Sequence, residues 1–132
     1  MKNWIMVACV MLLVAGCTKY TTPRKVERRI TEGTWTISSF TIDGVSVAAN
    51  YQGYNFSFSE THNVKVGGSF SASGSWELGL NKNPAILYLS FPPVGGLEYL
   101  ADDWQVTEMA RNRMTLQRND DSGAGGKLVF KK

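Results

Sequence analysis

From Thr34 onward apolar and polar residues alternate one for one, which is the period of a strand with one buried face. Trp35 and Ile37 begin one row, and Phe40 and Ile42 continue it only after a change of phase at Ser38-Ser39, so a bulge or sharp bend is expected there. Tyr54, Phe56 and Phe58 form a second row, followed after Glu60-Thr61 by a short segment from His62 to Val66. Phe70, Ala72, Gly74, Trp76 and Leu78 share a face opposite Ser69, Ser71, Ser73, Ser75 and Glu77; the small residues at Ala72 and Gly74 predict close packing or strong curvature. Ala85, Leu87, Leu89 and Phe91 make the most apolar row, and Trp104 with Val106, Met114 with Leu116, and Leu128 with Phe130 complete the set. Turn signals separate these segments at Asp43-Gly44, Glu60-Thr61, Gly67-Gly68, Asn81 to Pro84, Pro92 to Gly96, Ala110 to Asn112 and Asn119 to Gly126. Helical periodicity is hard to find. Eight strands with mostly short links predict an all-β, antiparallel up-and-down meander. Closing it into an eight-stranded barrel removes the exposed edges, with a two-sheet sandwich as the alternative.

A different pattern precedes the strands. Lys2 supplies a positive start and Trp4 to Val14 an apolar run, shorter than the roughly 20 residues that span a bilayer, so residues 1–16 read as a signal peptide. Val14-Ala15-Gly16-Cys17 resembles the lipobox of bacterial lipoproteins. That resemblance implies diacylation of Cys17, firm membrane attachment and, because Thr18 rather than an aspartate follows, an outer-membrane location, with the absence of an acidic cluster in the tether implying the periplasmic face. With Cys9 removed and Cys17 acylated, the mature chain has neither a disulfide nor a free thiol. Residues 17–32 then read as the lipidated N-terminus and a polar tether, whose Lys19, Arg24, Lys25, Arg28 and Arg29 outnumber Glu27 and Glu32.

Charge narrows the classes further. The formal net charge of +3 lies largely in that tether; residues 33–132 are nearly balanced and offer nucleic acid no concentrated basic surface. His62 is the single histidine, so no multi-histidine metal cluster is available. Asp102-Asp103 are strand neighbours that point to opposite faces, and Asp120-Asp121 lie in a polar turn without the spacing of a calcium loop. The serines have no evident base beside them. No catalytic residue, metal or cofactor is expected.

Gly33-Thr34-Trp35 at the start of the first strand resembles the entry motif of lipocalins, where the tryptophan plugs the closed end of the barrel. Trp104-Gln105-Val106-Thr107-Glu108, Arg113-Met114-Thr115-Leu116-Gln117 and Lys127-Leu128-Val129-Phe130 also resemble the compact lipocalin-like domains of bacterial lipoproteins, over roughly residues 32–132. The chain departs from full-length lipocalins in lacking their middle motif and flanking helix. The resemblance implies a lipocalin-like barrel over residues 33–132 and a non-catalytic module that binds a small apolar or amphipathic molecule. Candidate contacts are Trp35, Phe56, Phe58, Trp76 and Trp104 in the interior, with Tyr54, Tyr88, Tyr99 and the Pro92 to Gly96 loop at the rim. The alternative is an envelope protein-interaction module, an inhibitor or assembly factor, on a filled barrel.

Overall fold

The computed structural model describes residues 21–79, 84–118 and 125–132. The proposed signal peptide, Cys17, the Asn81 to Asn83 part of one loop and the Asn119 to Asp121 turn lie outside them. One short helix, α1 (Pro23–Ile30), precedes nine strands: β1 (Thr36–Ile42), β2 (Val45–Ser46), β3 (Tyr54–Phe58), β4 (Asn63–Gly68), β5 (Ala72–Leu78), β6 (Ile86–Ser90), β7 (Asp103–Met109), β8 (Arg113–Arg118) and β9 (Gly126–Lys131). They form a single antiparallel sheet in the order β2-β1-β9-β8-β7-β6-β5-β4-β3.

The sheet curls into a half-barrel, and the expected closed eight-stranded barrel does not form. Its ends meet at one point, where Trp35 and Phe56 exchange two backbone hydrogen bonds of 2.8 Å. The reason lies in β2. Asp43 and Gly44 both have positive φ, +51° and +80°, so the chain reverses in a two-residue turn of the type that suits the twist of a hairpin. The returning strand pairs Thr41 with Ser46 and Ile42 with Val45, and so occupies the upper part of the edge of β1 that β3 would need for closure.

Register shifts re-aim two strands. The ladder between β1 and β9 slips between Ile37 and Ser39, the phase change expected at Ser38-Ser39, and this keeps Phe40 inside. A second slip, between Val106 and Glu108 on β7, turns Met109 into the core in place of Glu108. Glu108 instead faces outward, accepting from the Thr115 hydroxyl at 3.0 Å and lying 3.2 Å from Arg113 Nε. At Gly74 the Ser90 carbonyl and the Phe91 ring fill the space a Cβ would take, the close packing its small size predicts.

Helix α1 is a second correction, because a polar tether was expected over this stretch. Thr22 caps the helix by accepting from the Lys25 amide at 3.3 Å, and Pro23 sits in its first turn, where a missing N–H costs nothing. Val26 and Ile30, four residues apart, fall on one face and are fully buried. Before the helix, Thr21 accepts from the Ala85 amide at 2.9 Å and donates its hydroxyl to the Val106 carbonyl, tying the chain to β7 and to the residue that leads into β6. The helix thus caps one end of the half-barrel, called here the lower end. That end also carries the β3–β4 and β7–β8 turns and the C-terminus, while the β1–β2 hairpin and the β6–β7 connection lie at the upper end. No helix among the described residues is long and apolar enough to cross a membrane.

Candidate functional site

The interior is built from the rows that the alternation marks. Trp35, Phe56, Phe58, Trp76 and Trp104 are each at most 3% exposed and are packed against neighbours. Phe130 stands edge-on to both Phe56 and Phe58, at 5.3 and 6.1 Å between ring centres, and Phe58 stands edge-on to Trp76 at 6.4 Å. Each buried indole also donates to a carbonyl outside the strands: Trp35 to Ile30 at 3.0 Å, Trp76 to Ser59 at 3.0 Å and Trp104 to Leu100 at 2.9 Å. Trp35 therefore satisfies a carbonyl in the last turn of α1, which the helix cannot pair internally. The Lys132 ammonium lies 4.7 Å from the centre of the same ring. These aromatics fasten the half-barrel to its caps and loops.

The upper end holds the candidate site, a cleft of about 560 Å³. One wall comes from Ile42 at the end of β1, Val47 after β2, and Asn50 and Tyr51 in a short 3-10 turn (Ala48–Tyr51). The other comes from Gly95, Gly96 and Tyr99 in the β6–β7 connection. Gly95 and Gly96 have φ of +60° and +82°, a conformation glycine adopts without strain. Their lack of side chains lets the loop descend onto Phe70 and Tyr51, since a Cβ on Gly95 would lie 2.7 Å from the Phe70 ring.

Two tyrosines hold the loop there. Tyr51 donates its hydroxyl to the Gly96 carbonyl at 2.7 Å, and Tyr54 donates to the Gly95 carbonyl at 3.0 Å. Burial pushes the Tyr51 hydroxyl up to about 12, with Glu98, Tyr54 and Tyr99 adding to the effect, so it remains a donor through the whole ordinary pH range. Both walls are thereby set in place before any ligand arrives. The Arg118 guanidinium braces the same end, with Nε 2.9 Å from Asp102 Oδ2 and its carbon 5.5 Å from the centre of the Trp104 ring.

Of the rim residues expected from sequence, Tyr99 and, from the Pro92 to Gly96 loop, Gly95 and Gly96 line the cleft, and Tyr54 stands behind it as a strut. Tyr88 lies elsewhere, beside His62, Glu77 and Trp76 on the flank of the sheet, around a hollow of only about 160 Å³. His62 has φ +66° in the β3–β4 turn, and its ring lies 4.8 Å from that of Trp76. Ile42, Val47, Asn50 and Tyr51 were not singled out from sequence as contacts. The chain after Asp43-Gly44 carries no sustained alternation; the signal available was Val45, Val47 and Tyr51 among small and polar residues in a link too short to show a period. A wider groove of about 780 Å³ runs from Thr31 and Gly33 across β3, β4 and β5. Phe58, Val64, Val66 and Ala72 give it an apolar floor among serines, glycines and Lys65, but among the described residues no loop is hydrogen-bonded over it as the Gly95-Gly96 segment is over the upper cleft.

No protein-family model, curated protein or solved structure matches the chain.

Proposed function

We propose that this protein is a lipid-anchored, non-catalytic binding module of the bacterial cell envelope, attached through Cys17 to the outer membrane and facing the periplasm. It holds a small apolar or amphipathic molecule at the mouth of its curled sheet, in the manner of a compact lipocalin-like domain whose interior is filled by its own side chains. The observation that carries this reading is the upper cleft. Its volume of about 560 Å³ falls in the range of small-molecule sites, roughly 300–1,000 Å³. It also joins apolar walls from Ile42 and Val47 to the polar Asn50 and the amphipathic Tyr99.

A second reading, a protein-docking module such as an inhibitor or assembly factor, draws support from Val45, Val94 and Tyr99, exposed apolar side chains that all lie at this same end. One experiment separates the two. A photoreactive benzoylphenylalanine replaces Val47 or Tyr99 in the full chain in living cells, with Tyr88 as the control position. Small-mass adducts at 47 and 99, and none at 88, are the expected result. Crosslinks only to another protein favour the second reading. Absence of both kinds of adduct refutes the cleft as a binding site.

A further inference from the structure

The charged groups of the fold are divided between its two ends. At the lower end, α1 carries Arg24, Lys25, Arg28 and Arg29, the β7–β8 turn adds Arg111, and the end of β9 adds Lys131 and Lys132. Glu27, Glu32 and Glu60 oppose them, and Arg113 is matched by Glu108, so among the described residues this end has a surplus of four positive side-chain charges. Among the described residues the upper end carries Asp43, Glu98, Asp102 and Asp103 against Arg118 and Lys127, a surplus of two negative side-chain charges. Packing fixes the direction of this polarity. Val26 and Ile30 are buried beneath α1, so Arg24 and Arg28 stay exposed on the side of the helix turned away from the sheet.

We propose that the helix-capped lower end docks on an anionic lipid bilayer and that the upper cleft consequently opens away from the membrane, toward the aqueous space. The inference rests on the acyl anchor at Cys17 proposed above. Thr21, the residue that ties the chain to the lower end, follows Cys17 by four positions. An extended chain covers at most about 3.6 Å per residue, so an acylated Cys17 holds Thr21 within about 14 Å of the bilayer surface. The basic face of α1 is then brought close to the range, roughly 8 Å at physiological salt, over which headgroup charge acts. Strands of seven residues put the cleft about 20 Å farther out. The acidic upper end is repelled by the same headgroups, so both ends favour one orientation.

The test uses the full acylated protein, extracted from cells and reconstituted in phosphatidylcholine vesicles with or without phosphatidylglycerol. Single cysteines at Asn112→Cys, on the lower end, or Val94→Cys, on the upper, carry a fluorescent donor, and the vesicles carry a headgroup acceptor. With the anionic lipid, transfer is expected to be strong from position 112 and weak from 94. Half-molar salt should diminish the difference. Arg24→Gln with Arg28→Gln, both exposed positions, should lower the docked-to-undocked ratio by about 30-fold, from roughly fivefold per basic residue near the surface. Equal transfer from both positions, or transfer indifferent to the anionic lipid, overturns the docking while leaving the anchor intact. Palmitate labelling of the same preparations reports the anchor itself; if Cys17→Ala labels as wild type does, the anchor and the docking built on it both fall.

Discussion

Replacing Ile30 by alanine asks whether the stretch after Cys17 is a tether or part of the fold. The Ile30 side chain is fully buried beneath α1, and its carbonyl accepts from the Trp35 indole. Truncation to alanine removes three carbons, about 2.4 kcal/mol of transfer free energy at about 0.8 kcal/mol each. The hole left between helix and sheet adds a cavity penalty, which brings the expected loss to about 3 kcal/mol. For a domain of this size, with a urea dependence near 1–1.5 kcal/mol/M, the unfolding midpoint should drop by about 2–3 M. The melting temperature should fall by roughly 12 °C or more. Urea titration followed in parallel by tryptophan fluorescence and far-ultraviolet circular dichroism measures this, with the exposed Arg24→Ala as control. Coincident transitions in the two signals would make helix and sheet one cooperative unit. If Ile30→Ala unfolds within about 0.5 kcal/mol of wild type, as a surface substitution does, the helix contributes nothing and the reasoning fails.

Gly74→Val should destabilise by about 1–3 kcal/mol or more, because the Ser90 carbonyl and the Phe91 ring must be displaced; urea unfolding checks it, and an unchanged midpoint would contradict the packing described. Gly44→Val forces a branched residue into positive φ in the β1–β2 turn and should cost about 1–2 kcal/mol, measured as a fall in melting temperature. For Tyr51 the folded pKa lies above the unfolded one, so its contribution is fully present below pH 10 and is lost as pH rises toward about 12. Melting temperature should therefore fall more steeply between those values in wild type than in Tyr51→Phe. Parallel slopes would mean that burial does not hold that proton.

The alternation by itself determined most of the strand side chains that are inside, though not Met109, which the β7 slip turns inward. A residue's face in a strand depends on its neighbours two positions away, so the rows through Phe56, Trp76, Leu87, Trp104, Leu116 and Phe130 could be read locally, and all six are buried. The bulge near Ser38 and the turn at Asp43-Gly44 were legible for the same reason: each is a break in a local period or a demand for positive φ. Only the tertiary structure decided whether the sheet closes. Closure depends on which edge β2 takes, and that strand, two residues long, leaves no period to detect. The helix carried faint signals, a Thr-Pro start and the pair Val26 and Ile30, yet eight residues do not hold a helix in water; it exists because the end of the half-barrel buries that pair. The cleft is non-local in the same sense, since Tyr51 and Gly96 are 45 positions apart and become neighbours only when the curled sheet brings its upper connections together.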